Sequence, residues 1–167
     1  MTDSQTGDYP ASVQAVLSIL KQSGTPFEVR SFSEPARQAS QAAALVGCPL
    51  GAIVKSLVFR KHFSGDLFLA LVSGQNRADT HILSQLAGDA VQPAPAEVVL
   101  AETGYPVGAV PPIGMHGEYM VVMDADLMQY PRVWASAGAE HILMAITPAD
   151  LQALTRAQVE QIRVKRG

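Results

Sequence analysis

Lys55 sits in the stretch GAIVKSLVF (51–59), where seven of nine residues are apolar or glycine. Such a run reads as a buried strand. Alternation then places Ile53, Lys55, Leu57 and Phe59 on one face and Val54, Ser56 and Val58 on the other. An ammonium on the more apolar face has three physical readings. It can snorkel to water along its own stem. It can protect a sheet edge from pairing with another chain. Or it can supply a positive charge to a cavity. Unpaired buried lysines are rare, so the spacing alone favours the first two readings.

A second segment, GYPVGAVPPIG (104–114), has three glycines and three prolines in eleven residues. Its bland reading is an irregular loop. Its chemical reading uses the same residues, because glycine lets backbone approach a ligand and proline stiffens the loop that presents it. Free N–H groups on such a loop can hold a carbonyl or an oxyanion. The later turn WASAGAEH (134–141) offers a further wall.

Other chemistries lack their residues. No G-x-S-x-G elbow, Walker lysine loop or H-E-x-x-H occurs, and Gly104, Gly108 and Gly114 do not make G-x-G-x-x-G. His62, His81, His116 and His141 have no metal-ligand spacing on a common helix. Cys48 is the only cysteine, which rules out an internal disulfide framework. No metal and no cofactor are expected.

The elements that must position Lys55 are legible by pattern. Residues 1–8 read as a flexible lead and 9–167 as one domain. PASVQAVLSILKQSG carries Val13, Val16, Leu17 and Leu20 at helical spacing, and PFEVRSF alternates like a strand. QASQAAALVGCP is an Ala-rich helix with a poorly marked start. DLFLALVSG is a second apolar strand, joined to the lysine strand by a hairpin near Ser64-Gly65. ADTHILSQLAG and PAEVVLAETG read as helices. VGAVPPIG, EYMVVMD, RVWASAG and EHILMAI are strand-like or loop-like. Thr147, Pro148 and Asp150 mark the start of a helix at TPADLQAL. This order is not a regular βαβα alternation. It predicts a mixed α/β single domain, a curled, barrel-like mixed β-sheet with surrounding helices.

The bulk properties agree with a globular domain. The 167 residues are 48% hydrophobic and 16% charged, with a formal net charge of −3. No global basic field points to DNA, although a local basic patch would suffice for one end of an RNA. The polar start MTDSQTGDYP lacks a signal pattern, and no apolar run reaches membrane-span length. A cytoplasmic protein with no membrane association is expected.

Taken together, GAIVKSLVF, SGQNRAD, GYPVGAVPPIG, SAGAEH and ITPADLQAL occur in an order that resembles the YbaK/ProX family of aminoacyl-tRNA deacylases over about residues 11–157. That family shares its fold with the editing domain inserted in bacterial prolyl-tRNA synthetases. The resemblance implies an enzyme that cleaves, in trans, the ester between a wrongly attached amino acid and the 3′ end of a tRNA. It implies that the family's essential lysine is Lys55 and that its glycine-rich loop corresponds to Gly104, Gly108, Pro112 and Gly114. Lys55 and Gly108 are then the catalytic candidates. Gly138 and His141 correspond to the later turn, and Ile53 and Leu57 flank the lysine in the substrate pocket. Arg30, Arg37, Arg60, Lys61 and Arg77 are the candidate contacts to the tRNA acceptor end, and a prolyl-tRNA synthetase is a candidate partner. Two departures stand out. Met115 separates the VPPIG loop from His116, and Gln38 replaces a helix-capping threonine. Two functional classes stay open, a trans-editing hydrolase and a non-catalytic binding or regulatory module on the same fold.

Overall fold

The computed structural model describes residues 8–165. Helix α1 (Ala11–Ser23) buries Val13, Val16, Leu17 and Leu20, the four apolar positions that its sequence spaces onto one face. Strand β1 (Glu28–Ser31) follows, then helix α2 (Ala39–Val46). The Gln41 side chain accepts hydrogen bonds from the backbone N–H of Gln38 (3.1 Å) and of Arg37 (3.2 Å), which marks the helix start that the sequence left vague.

The lysine strand is shorter at its front than GAIVKSLVF suggests. Leu50–Ala52 form a 3₁₀ turn, and β2 runs over Val54–Lys61. It pairs antiparallel with β3 (Leu67–Ser73), from Val54 opposite Ser73 to Arg60 opposite Leu67. Helix α3 (Thr80–Ala87) is capped by Asp79, whose carboxylate accepts from His81 N at 2.9 Å. Strand β4 (Val91–Pro93) and helix α4 (Ala96–Thr103) lead into the Gly/Pro segment, which is an irregular loop. Strands β5 (Met120–Asp124), β6 (Val133–Ala139) and β7 (Ile142–Ile146) precede helix α5 (Pro148–Thr155). The Thr147 hydroxyl caps α5 by accepting from Asp150 N at 3.2 Å. Strand β8 (Gln158–Glu160) closes the order.

The strands form two sheets. One has the order β4-β2-β3-β5-β8 and is mixed, and the other, β1-β7-β6, is antiparallel. The β-structure is therefore not a single curled, barrel-like sheet. One isolated bridge, Ile53 with Trp134, links the two sheets. The physical reason lies on the outer edge of β2. Strand β4 pairs with Phe59–Lys61, Ala94 N donates to Val58 O at 3.0 Å, and Ile53 alone bridges to β6, so among the described residues the intervening edge at Val54–Leu57 has no strand partner.

Strand β3 explains why DLFLALVS is apolar without alternation, since both of its faces are covered. Leu69 and Leu71 join the main cluster between the sheets, while Phe68, Ala70 and Val72 pack with Leu83 of α3 and Ile162 on the other side. Strand β2 divides in the same way. Val54 and Val58 face the inter-sheet cluster, and Leu57 and Phe59 face α3. A third cluster, built from Ala42, Ala43, Val46, Ile53 and Trp134, fastens α2 to the junction between the sheets.

Candidate functional site

The unpaired edge of β2 opens onto a cavity of about 580 Å³. Residues Ile53–Leu57 form one wall and Trp134–Ser136 of β6 the facing one. Ala39 and Ala42 of α2 supply a small-residue side, and Val107, Gly108 and Val110 bring in the Gly/Pro loop. Arg37 and Glu140 stand at the rim and pair across 3.1 Å. Gly74 also lines the cavity, where a Cβ would lie 2.5 Å from the Leu50 carbonyl oxygen.

Lys55 is tied down rather than free to snorkel. Its half-buried ammonium donates to the backbone carbonyl of Asn76. The Asn76 side-chain amide in turn donates to Asp124 Oδ2 and to Asp126 Oδ2, each at 2.8 Å. Asp124 is fully buried and also accepts from Ser73 N at 3.0 Å. Arg163 Nε lies 3.1 Å from Asp126 Oδ2, an ion-pair contact without hydrogen-bond alignment. Burial pushes the Lys55 pKa below the ordinary lysine value, and the negative charge of Asp124 opposes that shift. Lys55 thus stands at a partly desolvated wall, where a positive charge acts more strongly than in water.

Gly108 adopts φ +93°, which side-chain-bearing residues rarely adopt. A Cβ there would meet Glu140 Oε1 at 3.4 Å, an ordinary contact, so backbone conformation rather than space requires the glycine. The loop is anchored behind it. Ala109 N donates to Pro106 O at 3.0 Å, and Ser136 Oγ donates to Ala109 O at 3.1 Å.

Five residues from the loop and the later turn stand outside the cavity lining. Gly104 ends α4 against the His116 ring, and Gly114 packs on Val16 of α1. Gly138 has φ +115°, and a Cβ there would lie 2.8 Å from the Ser12 carbonyl oxygen. These three glycines let the loop and β6 seat on the helices behind the site. Pro112 is buried in the loop. His141 is exposed, and its carbonyl accepts from Phe32 N at 2.8 Å.

The five cationic candidates do not form one cluster. Arg37 reaches the rim. Arg30 stacks on Trp134, with its guanidinium carbon 4.7 Å from the ring centroid. Arg132, which sequence reading did not single out, lies over the same indole at 5.0 Å and pairs with Glu28 at 3.0 Å. Burial works to raise the Glu28 pKa, and the Arg132 and Arg30 guanidiniums outweigh it, holding that carboxyl below its ordinary value. Arg60 and Lys61 lie five and six residues along β2 from Lys55, about 17–20 Å away at strand rise. Arg77 follows Asn76, and its carbonyl accepts from Val164 N at 2.8 Å.

A mixed α/β domain whose cavity pairs a restrained lysine with a glycine-bearing loop defines a class of small-ligand site. Comparison with known proteins gives the class its family. A family model described as the aminoacyl-tRNA editing domain matches residues 33–154, and the chain belongs to that family. It is an aminoacyl-tRNA deacylase, a hydrolase of carboxylic esters. The chain is 27% identical over 149 residues to the uncharacterized protein YwhH of Bacillus subtilis, covering 89% of this chain and 94% of that protein. It is 26% identical over 152 residues to a protein of Enterococcus faecalis provisionally named Cys-tRNA(Pro)/Cys-tRNA(Cys) deacylase EbsC, covering 89% and 92% of the two chains. A crystal structure provisionally described as a trans-editing enzyme for prolyl tRNA synthetase superposes with a TM-score of 0.88 at 36% identity, covering 95% of this chain and all of the other.

Proposed function

We propose that this chain acts in trans on misacylated tRNA carrying a small amino acid, on tRNA(Pro) or a related tRNA, with the ester bound in the cavity beside Lys55. The observation that carries this reading is the restrained Lys55 ammonium on the wall of a largely apolar cavity at an unpaired strand edge. The 3′ end of an aminoacyl-tRNA brings phosphates and an ester carbonyl, and Lys55 offers a positive charge to one of them. Ile53 and Leu57 supply apolar surroundings, and Gly108 presents loop backbone to the developing oxyanion.

Among the described residues no protein nucleophile is poised for attack. Burial raises the Cys48 thiol pKa, and its sulfur donates to the Pro49 carbonyl at 3.3 Å, outside the cavity lining. Ser56 has no basic side chain hydrogen-bonded to it. Water is therefore the attacking group. Its oxygen bonds to the ester carbon, the bond to the ribose oxygen breaks, and the ribose takes up the proton. A terminal ribose hydroxyl of the substrate helps to orient the water. An ester is easier to cleave than an amide, so positioning and one charge go far.

Arg37 at the rim contributes to holding the acceptor end, with Arg30, Arg60, Lys61 and Arg77 as outlying contacts. A prolyl-tRNA synthetase is the natural source of the substrate. Incubation with a panel of alanyl-, cysteinyl-, seryl- and threonyl-tRNA species tests the reading. Release of free amino acid from one or more is expected. Tight binding to the panel without release of any amino acid would replace this reading with that of a binding module.

A further inference from the structure

Glu140 is the one acid among the described residues that line the cavity, and Lys55 and Arg37 are the cations. Only one of its carboxylate oxygens is engaged. Oε2 accepts from Arg37 Nε at 3.1 Å, whereas Oε1 has no hydrogen-bond partner among the described residues. Oε1 lies 3.4 Å from where a Cβ on Gly108 would stand, so it is turned toward the Gly/Pro loop at the cavity mouth. The Glu140 side chain is 32% exposed and its partner Arg37 is 70% exposed. Such a pair adds little to stability, so the fold alone gives this carboxylate little to do.

The backbone holds Glu140 in place. The register of β6 against β7 shifts between Ser136 and Ala139, where Gly138 adopts φ +115°. An irregularity of this kind bends a strand and re-aims the side chains beside it. The turn that follows is fastened from the side of α2. Ala36 N donates to Glu140 O at 2.7 Å, and Phe32 N donates to His141 O at 2.8 Å. Glu140 therefore reaches the mouth from a turn with fixed hydrogen bonds on its own carbonyl and on the next one.

An aminoacyl ester brings one cation of its own, the α-ammonium, two bonds from the ester carbon. Lys55 and Arg37 repel that charge and Glu140 attracts it. An ester carbonyl held at Gly108 puts the α-nitrogen next to the carboxylate oxygen that faces the same glycine. Resting on the deacylase reading above, we propose that Glu140 Oε1 binds the α-ammonium of the ester, so that the cavity favours esters with a free, charged amine whatever their side chain. A carboxylate accepts at both oxygens, so Arg37 keeps Oε2 while the ammonium takes Oε1. An ammonium–carboxylate hydrogen bond is charge-assisted, and a neutral group at the same position forms a weaker one. Acylation of the amine removes the charge as well, so an ester that ends a peptide is disfavoured at this site.

The test compares wild type with Glu140→Gln on alanyl-, cysteinyl-, seryl- and threonyl-tRNA, each prepared also as the α-hydroxy ester, which replaces the ammonium with an uncharged group of similar size. The assay runs at pH 6, below the ordinary α-amino pKa of about 7.7–8.0, so the amine is charged. Each kcat/KM is divided by the spontaneous hydrolysis rate of the same ester, which removes the difference in intrinsic reactivity. On the ester it cleaves best, wild type is expected to favour the α-amino form by about tenfold or more. In Glu140→Gln, which keeps the shape and loses the charge, that preference is expected to shrink about tenfold with the melting temperature unchanged. Equal treatment of the two forms by wild type overturns the inference and leaves the deacylase reading intact. An unchanged preference in Glu140→Gln, or an equal loss on both forms, does the same, since the carboxylate then acts on water or on the loop. A clearly lower melting temperature shows that the carboxylate serves the fold, and overturns it as well. Wild-type protein that cleaves none of the four α-amino esters removes the deacylase reading, and this inference with it.

Discussion

Asn76 joins Lys55 to Asp124: its backbone carbonyl accepts the ammonium, and its side-chain amide lies 2.8 Å from Asp124 Oδ2. The lysine is thus held through an intermediary, and among the described residues no carboxylate pairs with it directly. Its charge stays available to a ligand while its position is fixed. Asp124→Asn keeps the shape but replaces an acceptor with a group that opposes the donors of Ser73 and Asn76. It should destabilise the fold by about 1–3 kcal/mol, the usual cost of an unsatisfied buried group. Urea unfolding measures this, and an unchanged midpoint would show that the network carries no weight.

The pH profile of hydrolysis follows from Lys55. Its pKa lies below the ordinary lysine value because burial disfavours the ammonium. If the charge is needed, kcat/KM corrected for spontaneous hydrolysis should fall as pH rises through that lowered pKa. The stability effect runs the other way. Between the folded and unfolded pKa values the unfolded chain binds more protons, so stability contributed by this group rises with pH in that window. A corrected rate that stays flat up to the ordinary lysine pKa would exclude a role for the ammonium.

Gly108→Ala places a side chain where space permits it and φ does not. The strain is of order 1–2 kcal/mol and is confined to a loop. The melting temperature should drop by only a few degrees, while kcat/KM falls tenfold or more because the loop backbone relocates. Full activity would place the reacting ester away from this loop.

Arg37→Ala removes an exposed ion pair with Glu140, which by itself contributes about 0–1 kcal/mol to stability. Its predicted effect is on RNA. Affinity for tRNA should weaken, and the slope of log affinity against log salt should become shallower by about one. Identical salt slopes for the two proteins would take Arg37 out of the interface.

Much of this fold was legible because its signals are local. The four buried positions of α1, the Thr147 helix start and the turn after Lys61 each depend on a few neighbouring residues. Strands β4 and β8 escaped because three residues are too few to show a period, and VQP contains a proline besides. The division into two sheets escaped because sheet closure depends on where β4 and β6 stop pairing with β2, and no single segment encodes that. At the site, Lys55, Ile53, Leu57, Gly108 and Arg37 could be singled out from one strand, one loop and one helix start. Asp124 and Asp126, which meet Asn76, and Arg163, which meets Asp126, could not, since these contacts arise only through long-range packing. The SGQNRAD stretch held the one available hint, an asparagine in a turn directly after a buried strand.

The most direct test of the account is Lys55→Met, read by melting and by hydrolysis of the preferred mischarged tRNA. Methionine keeps the stem and removes a charge that burial disfavours. The lost hydrogen bond to Asn76 offsets part of that relief, so the variant should fold with a stability within about 1 kcal/mol of wild type. Its kcat/KM should drop by about a hundredfold, the usual loss when a charge held for the transition state is removed. A Lys55→Met protein that folds normally and hydrolyses at near-wild-type rate would contradict the account.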